Sequence, residues 1–553
     1  METVDALVRL RAGDDRPGLA FGDSRWTHAE VTAAQAARAS LLAQLRRPGP
    51  FHVAVLLDNV PEYVYWLGAA ALAGAVLVGA NPTHRGDELV RDLTHTQCQL
   101  LVTSAAYLPL LAGRDLGAAL GADRILVVDG AGPVGAPDYG DLLAAHRGAP
   151  LPDPASTEIT PDTLGLLLFT SGTSGAPKAC RCTQGRLARI GAVVAQMFAL
   201  GPDEVCYLAM PLFHSNALMA GWAPALAAGA AVALRERFSA SRFLDDVRAY
   251  GATYFNYVGK PLSYVLATPE RPDDADNPLR RAFGNEAAAA DVVRFAARFG
   301  CHVQDAYGST EGGASVQRTP DTPRGALGHA SPQTIVVDPA TGEECPRARF
   351  DEHGRLVNAE DAIGELVNTA GASGFEGYWC NDDAEAARLR GGWYWTGDLA
   401  YRDEAGFVYF AGRDHDWLRV DGENFAAAPV EDVLQRFDGV VLAAVYAVPD
   451  ERAGDQVMAA LELRPGASFD PDAFAAFLAA QDDLGTKWAP RFVRVGPLPV
   501  TATTKVLTRQ LRAERWRCSD PVWWRPGRGA RFRLLTAADA EALDDALAAR
   551  DAG

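Results

Sequence analysis

A segment rich in glycine and hydroxyl residues, 167–178, carries the most informative chemistry in this sequence. It reads LLFTSGTSGAPK, an apolar run followed by polar donors and one lysine. Glycines allow backbone N–H groups to turn toward one point, so the segment predicts an anion-binding loop rather than a polar surface turn. It is not a Walker loop, because the spacing differs and Ala179 follows the lysine. The candidate anion-binding residues are Thr170, Ser171, Gly172, Thr173, Ser174, Gly175 and Lys178.

Short apolar runs before this loop predict the sheet that must position it. Four of them, at 52–57, 75–80, 99–104 and 124–129, alternate with alanine-rich helical patterns. Uncharged runs of this length indicate strands that are buried on both faces, and interleaved helices indicate a parallel sheet. After residue 395 the pattern changes to short hairpins, which predicts a smaller α+β domain.

One uncharged stretch, residues 64–80, has the length of a membrane span. Alanine and glycine make up half of it, and Gly74 divides it into a helix-like part and a β-branched part. We therefore expect a buried helix that leads into a buried strand. The first residues carry both signs of charge and no apolar core, which does not resemble a secretory signal. The sequence predicts no integral span and a cytoplasmic protein, with peripheral contact at the inner membrane face left open.

Composition narrows the class of partner. The chain has 553 residues, 48% hydrophobic and 22% charged, with a net charge of −18. Such an acidic surface disfavours nucleic-acid binding, so we expect a small-molecule partner. Eight cysteines are too sparse for a disulfide scaffold, and the ten histidines lack metal-site spacing. Oligomeric state is not encoded in these features, and a homodimer stays open.

Taken together, the motifs resemble the adenylate-forming (ANL) superfamily, which includes acyl-CoA synthetases, peptide-synthetase adenylation domains and firefly luciferase. The loop matches the family pattern T-S-G-T-[ST]-G-x-P-K at every position. Further matches follow in family order over nearly the whole chain. They are LAFGDSRWTHAEV (19–31), DAYGSTEGG (305–313), GYWCNDDAEA (377–386), YWTGDLA (394–400), AGRDHDWLRVDGENF (411–425) and LPVTATTK (498–505).

The resemblance implies an ATP and carboxylate site. Thr310 would meet the α-phosphate and Glu311 would bind Mg²⁺, in keeping with hydroxyl and carboxylate chemistry. Asp398 would accept the ribose hydroxyls and Arg413 would donate to the same sugar. His214 would lie between the acyl pocket and the reacting carboxylate, with a hydrogen-bonded structural histidine as the alternative. The residues expected near adenine and its motif are Gly284, Asn285, Asp305 and Tyr307.

Lys505 occupies the position of the family's C-terminal catalytic lysine, where an ammonium can bridge the carboxylate and the α-phosphate. Two positions depart from the family pattern: Thr504 replaces the glycine that many members have before the lysine, and His415 stands at the hinge, where Asp or Lys is usual. By resemblance, the coenzyme A loop is Gly422, Glu423 and Asn424.

These observations predict an α/β fold with a large N-terminal domain, 1–413, and a small mobile α+β lid, 414–553. The large domain would contain two doubly wound αβ subdomains and a β-barrel-like piece. We expect an acyl-CoA ligase that uses ATP, Mg²⁺ and coenzyme A. The tail, 520–543, resembles the fatty-acid-transport branch, which includes ligases for fatty acids and sterol side chains and implies a long or bulky apolar acid.

Two alternatives stay open at this point. One is an adenylating enzyme that does not use coenzyme A and instead loads a carrier protein or activates an unusual acid. The other is a lipid-binding or uptake protein with vestigial catalysis.

Overall fold

A computed structural model describes residues 2–170, 178–319, 321–323, 325–352, 356–413, 417–420, 423–450, 455–485, 487–501, 504–527 and 531–551. The elements up to residue 197 are α1 (Val4–Arg9), β1 (Pro17–Phe21), β2 (Ser24–Thr27), α2 (His28–Leu45), β3 (His52–Leu56), α3 (Pro61–Ala73), β4 (Val76–Gly79), α4 (Asp87–His95), β5 (Leu100–Thr103), α5 (Leu108–Leu111), β6 (Ile125–Val127), α6 (Tyr139–Ala144), α7 (Pro154–Thr157), β7 (Leu164–Thr170), β8 (Lys178–Thr183) and α8 (Gln184–Met197).

The first sheet has the strand order β6-β5-β3-β4-β7-β8. All neighbours are parallel except β7 and β8, which form an antiparallel pair. The four apolar runs of the sequence are β3, β4, β5 and β6, and their residues are buried. The predicted parallel sheet is confirmed.

Residues 64–80 form the predicted helix and strand. Helix α3 ends at Gly74, whose φ of 65° is the left-handed conformation that ends a helix at low cost for glycine. The chain then enters β4, which lies fully inside the first sheet. Within the described ranges, no helix combines the length and apolarity needed to cross a bilayer.

The second sheet begins after α8. Its elements are β9 (Val205–Leu208), a π-helical turn (Ala217–Trp222), α9 (Ala223–Ala228), β10 (Ala231–Leu234), α10 (Phe243–Tyr250), β11 (Tyr254–Val258), α11 (Pro261–Leu266), β12 (Arg281–Asn285), α12 (Ala289–Phe299), β13 (His302–Gly308), β14 (Ser315–Gln317), β15 (Ala326–Ala330), β16 (Thr334–Val337), α13 (Ala359–Ala362), β17 (Gly364–Asn368), α14 (Asp382–Arg388), β18 (Leu389–Arg390), β19 (Trp393–Arg402) and β20 (Phe407–Arg413).

This sheet changes character at β13. Strands β13-β12-β11-β9-β10-β1 are parallel, and β2 pairs antiparallel at the edge. On the other side of β13 the order β14-β15-β20-β19-β17-β16 is antiparallel, so the piece expected to be barrel-like continues the parallel sheet. The carboxyl ends of β11, β12 and β13 therefore meet one edge, where ligands of open α/β sheets bind.

The remaining elements form a smaller α+β unit, as expected. They are β21 (Trp417–Val420), β22 (Glu423–Ala426), α15 (Ala427–Leu434), β23 (Val440–Pro449), β24 (Asp455–Leu463), α16 (Pro471–Ala479), β25 (Phe492–Val495), α17 (Thr508–Glu514), β26 (Val522–Trp524), β27 (Arg533–Leu534) and α18 (Ala537–Asp551). Strands β21 and β22 pair with each other, and β23-β24-β25-β26-β27 form a five-stranded sheet with an apolar cluster on each face. The tail adds two strands and a helix to this sheet.

Candidate active site

A cavity of about 1520 Å³ opens at the carboxyl ends of β11, β12 and β13. Its walls come from both αβ sheets, from the antiparallel strands and from the C-terminal unit. Most candidate residues whose side chains the structure describes line it. They are Thr170, Lys178, His214, Asn285, Asp305, Tyr307, Thr310, Glu311, Asp398 and Lys505.

The two ends of the anion-binding segment lie side by side. Thr170 ends β7 and pairs with Lys178, the first residue of β8. Burial lowers the pKa of Lys178, and the positive charge of Arg388 lowers it further. The Ser171, Gly172, Thr173, Ser174 and Gly175 candidates lie outside the described residues.

Thr310 and Glu311 sit in a polar network that the motif alone did not reveal. The Thr310 hydroxyl lies 2.8 Å from the Ser215 hydroxyl, and Arg186 donates to the Thr310 carbonyl at 2.6 Å. Glu311 is buried and accepts a 2.8 Å hydrogen bond from the Tyr378 hydroxyl. The hydrogen bond from Tyr378 orients the Glu311 carboxylate, and Glu311 lines the cavity.

Tyr378 and Arg388 are functional candidates that sequence reasoning missed. Tyr378 lies in the GYW string that matches a family motif, but the resemblance alone implies no role for it. Arg388 lines the cavity; burial tends to lower its pKa, but the hydrogen bond with Tyr378 and, to a smaller extent, the negative charge of Glu311 raise it. For Tyr378 the matched motif at 377–386 was a usable signal, because a polar side chain inside such a motif needs a hydrogen-bond partner.

Asp398 and Tyr307 join β19 to β13. The Tyr307 hydroxyl donates to Asp398 Oδ2 at 2.6 Å. Arg413 stands opposite Asp398 in the antiparallel β19–β20 pairing, so its backbone is beside the expected partner. The structure describes no side-chain position for Arg413.

The candidates on β12 and β13 have different surroundings. Asp305 Oδ2 accepts hydrogen bonds from the Tyr257 hydroxyl at 2.9 Å and from the Ala287 N–H at 3.0 Å. Burial raises the pKa of Asp305 to about 7. Asn285 donates to the Ala306 carbonyl. Gly284 is not among the lining residues, and a Cβ there would come within 2.3 Å of the Tyr257 carbonyl oxygen. The absence of a side chain at Gly284 lets β12 pack closely against Tyr257.

His214 and Lys505 both line the cavity, His214 from the large N-terminal unit and Lys505 from the smaller C-terminal unit. Burial lowers the pKa of His214 to about 4, and the positive charge of Lys505 contributes to the shift, so His214 is neutral near pH 7. The Lys505 ammonium lies 2.6 Å from Glu286 Oε1 on the β12 side. Lys505 thus reaches the cavity from the loop before α17, as the resemblance implies.

One wall of the cavity is apolar. Helix α8 contributes Ile190, Val194 and Met197, and the π-helical turn contributes Met219 and Ala220. Val258, at the end of β11, also lines the cavity. The neighbouring Leu218 and Tyr257 are fully buried in the core, because the wide turn and the strand alternation point them away from the cavity.

Four candidates of the C-terminal lid remain. His415 and Gly422 lie outside the described residues. Glu423 and Asn424 are described only as backbone of β22, which pairs with β21. Groups of three or more potential metal-ligating side chains do not occur among the residues that the structure describes. A nucleotide-bound Mg²⁺ needs only one or two protein carboxylates, so a single carboxylate such as that of Glu311 remains a candidate ligand.

Comparison with known proteins finds relatives that match nearly the whole chain. A family model described as AMP-binding enzyme matches residues 8–379, and the AMP-binding enzyme C-terminal domain matches residues 429–505. Steroid-22-oyl-CoA synthetase of Rhodococcus jostii (strain RHA1) is 55% identical over 95% of this chain and 94% of its own length. The medium/long-chain-fatty-acid–CoA ligase FadD17 of Mycobacterium marinum is 49% identical over 94% of this chain and 97% of its own.

Solved structures agree in fold. The anthranilate CoA ligase AuaEII, in complex with anthranoyl-AMP, superposes with a TM-score of 0.79 at 20% identity, covering 92% of this chain and 96% of that one. MatB of Rhodopseudomonas palustris, with ATP bound, gives a TM-score of 0.76 at 24% identity over 92% and 98% of the two chains. The chain therefore belongs to the AMP-binding enzymes of the adenylate-forming (ANL) superfamily.

Proposed function

We propose that this protein is an ATP-dependent acyl-CoA ligase. The observation that carries the proposal is the convergence of Lys178, Glu311 and Lys505 on one cavity that is apolar on another wall. Cationic groups suit the phosphates and the carboxylate of the reactants, and the apolar wall suits the rest of the acid. The 55% identical relative and the 49% identical relative are both named as CoA ligases or synthetases.

In the first step a carboxylate oxygen attacks the α-phosphorus of ATP, an acyl-adenylate forms and pyrophosphate leaves. Two anions must approach each other, so the Lys505 ammonium stabilises this arrangement more than it stabilises the separated reactants. Thr170 and Lys178 bind phosphate oxygens at the mouth of the loop. Neutral His214 packs beside the reacting carboxyl group without adding charge.

Glu311 is the residue that would hold Mg²⁺. Its carboxylate faces the cavity and is oriented by Tyr378, and oxygen ligands are those that Mg²⁺ prefers. The ion would supply charge neutralisation for the phosphates. Asp398, with Arg413 beside it, holds the ribose in this proposal, and Asn285, Asp305 and Tyr307 border the adenine.

In the second step the thiol of coenzyme A attacks the acyl carbon, a thioester forms and AMP leaves. Gly422, Glu423 and Asn424 would face the cavity during this step. Lys505 belongs to the same unit, so the unit must present different faces in the two steps and rotate near His415. Lys505 already lies in the cavity, which corresponds to the adenylating pose.

The acid is, in our proposal, long or bulky and apolar. The wall formed by α8 and the π-helical turn consists of uncharged, apolar side chains. They are Ile190, Val194, Met197, Met219 and Ala220. The names of the relatives point to steroid and fatty acids. We also propose a cytoplasmic location with contact at the inner membrane face, where such acids partition. Release of the protein only by detergent would contradict it.

A panel of acids tests the function. Linear acids of short, medium and very long chain, with steroid carboxylic acids, are each mixed with ATP, Mg²⁺ and the wild-type protein, with and without coenzyme A. We expect AMP and acyl-CoA with apolar acids only when coenzyme A is present. Adenylate formation without coenzyme A consumption would contradict the ligase function, and an absence of ATP–pyrophosphate exchange would contradict adenylation altogether.

A further inference from the structure

Thr504, the residue before Lys505, has an unfavourable backbone conformation. Its φ is 59°, in the left-handed region that β-branched residues rarely adopt. The turn around it is closed by hydrogen bonds from the Thr501 N–H to the Lys505 carbonyl at 2.8 Å and from the Thr504 N–H to the Thr501 carbonyl at 2.9 Å. Glycine would adopt this conformation freely, so the threonine side chain must contribute something that glycine cannot.

The Thr504 hydroxyl joins the C-terminal unit to the end of β11. It donates to the Val258 carbonyl at 3.2 Å and accepts from the Lys260 N–H at 3.2 Å. Val258 and Lys260 both line the cavity, and they are separated from Thr504 by more than two hundred residues of chain. Both hydrogen bonds exist only while the lysine loop is docked at this strand end.

The neighbouring strand end receives Lys505. Glu286, whose carboxylate is 2.6 Å from the Lys505 ammonium, follows β12 and also has a left-handed φ, 68°. A hydrogen bond of 3.0 Å from the Gly259 N–H to the Asn285 carbonyl ties the two strand ends together. Thr504 and Lys505 therefore dock on a single, internally linked surface.

We propose that Thr504 is a positioning residue that holds the Lys505 loop in the adenylating pose. The proposal rests on the ligase function proposed above. Because its hydrogen bonds to the Val258 carbonyl and the Lys260 N–H are lost when the C-terminal unit rotates away, the hydroxyl stabilises only the pose in which Lys505 reaches the cavity. It should therefore favour adenylate formation and give no help to thioester formation.

Two matched variants test this role. Thr504→Val keeps the shape and the β-branch but lacks the hydroxyl, and Thr504→Ser keeps the hydroxyl. We expect Thr504→Val to slow acyl-adenylate formation about three- to tenfold, the usual effect of losing a hydrogen bond, and Thr504→Ser to retain most of the rate. With supplied acyl-adenylate and coenzyme A, Thr504→Val should form acyl-CoA at the wild-type rate or faster.

The division between the two steps separates positioning from folding. A purely structural role would slow both steps of Thr504→Val together, and that result would overturn the proposal. Equal adenylation rates of wild type and Thr504→Val would overturn it as well. Failure of the ligase function itself is distinguishable, since the wild-type protein would then give no adenylate with any acid of the panel.

Discussion

The Tyr307 hydroxyl donates a 2.6 Å hydrogen bond to Asp398 Oδ2, although the two residues are 91 positions apart in the chain. The bond links the last parallel strand, β13, to the antiparallel strand β19. Asp398 is buried, so its carboxylate is held in one orientation before any ligand arrives. A preorganised acceptor of this kind suits the vicinal hydroxyls of a ribose.

Removal of this acceptor should weaken nucleotide binding. We expect Asp398→Ala to raise the Kd for ATP about ten- to a hundredfold, since a buried charged acceptor contributes roughly 1.5–3 kcal/mol. Affinity for the acid, which we propose binds against the apolar wall, should be nearly unchanged. Calorimetric titration with each ligand measures both values. Unaltered ATP binding would contradict the ribose assignment.

The proposed Mg²⁺ ligand can be tested without losing its local hydrogen bond. Glu311→Gln removes the negative charge, while the amide oxygen can still accept from Tyr378. We expect the Mg²⁺ concentration for half-maximal adenylation to rise about tenfold, because the loss of one charged contact lowers affinity by about that factor. Tyr378→Phe is the control, because it keeps the carboxylate and should change this concentration much less. An identical Mg²⁺ dependence in Glu311→Gln and wild type would refute the role.

The raised pKa of Asp305 predicts a pH-dependent stability. Its pKa is about 7 in the folded chain and near 3.8 in the unfolded chain. Between these values the folded state keeps a proton that the unfolded state has released, so stability falls as pH rises through this window. As pH rises from about 5 to about 8, we expect the Tm of Asp305→Asn to fall less than the Tm of wild type. Equal losses of Tm would show that Asp305 does not titrate in this window.

A larger side chain on the apolar wall should exclude bulky acids first. Ala220 belongs to the π-helical turn and lines the cavity. We expect Ala220→Phe to lower kcat/KM for steroid acids at least about tenfold more than for a medium-chain acid, and Ala220→Val to have a smaller effect. The KM for ATP serves as the internal control. A uniform loss for all acids would place Ala220 outside the acyl wall.

The sequence predicted much of the fold, because apolar runs and glycine carry local information. Residues 64–80 became a helix and a strand on either side of Gly74, and the 399–413 region became the β19–β20 hairpin. The continuity of the parallel and antiparallel strands through β13 could not be predicted. It depends on pairings between distant segments, and no local pattern specifies those.

Contacts within the site were less accessible to prediction. The partners of Thr310, Glu311 and Lys505 are Ser215, Tyr378 and Glu286, and each lies 67 or more positions away in the chain. Single motifs identified one member of each pair. The π-helical turn could not be predicted from the sequence either, and it is this turn that puts Met219 and Ala220 on the cavity wall while Leu218 is buried in the core.

The most direct test of the account is the rate of acyl-adenylate formation by Lys505→Ala. We expect this rate to fall about a hundred- to a thousandfold, as for the loss of a group that stabilises transition-state charge, while supplied acyl-adenylate is still converted to acyl-CoA. Lys487→Ala, which removes another lysine of the same unit, is the control and should keep the wild-type rate. A Lys505→Ala enzyme that forms adenylate as fast as wild type would contradict the central claim that this ammonium brings the carboxylate and the α-phosphate together.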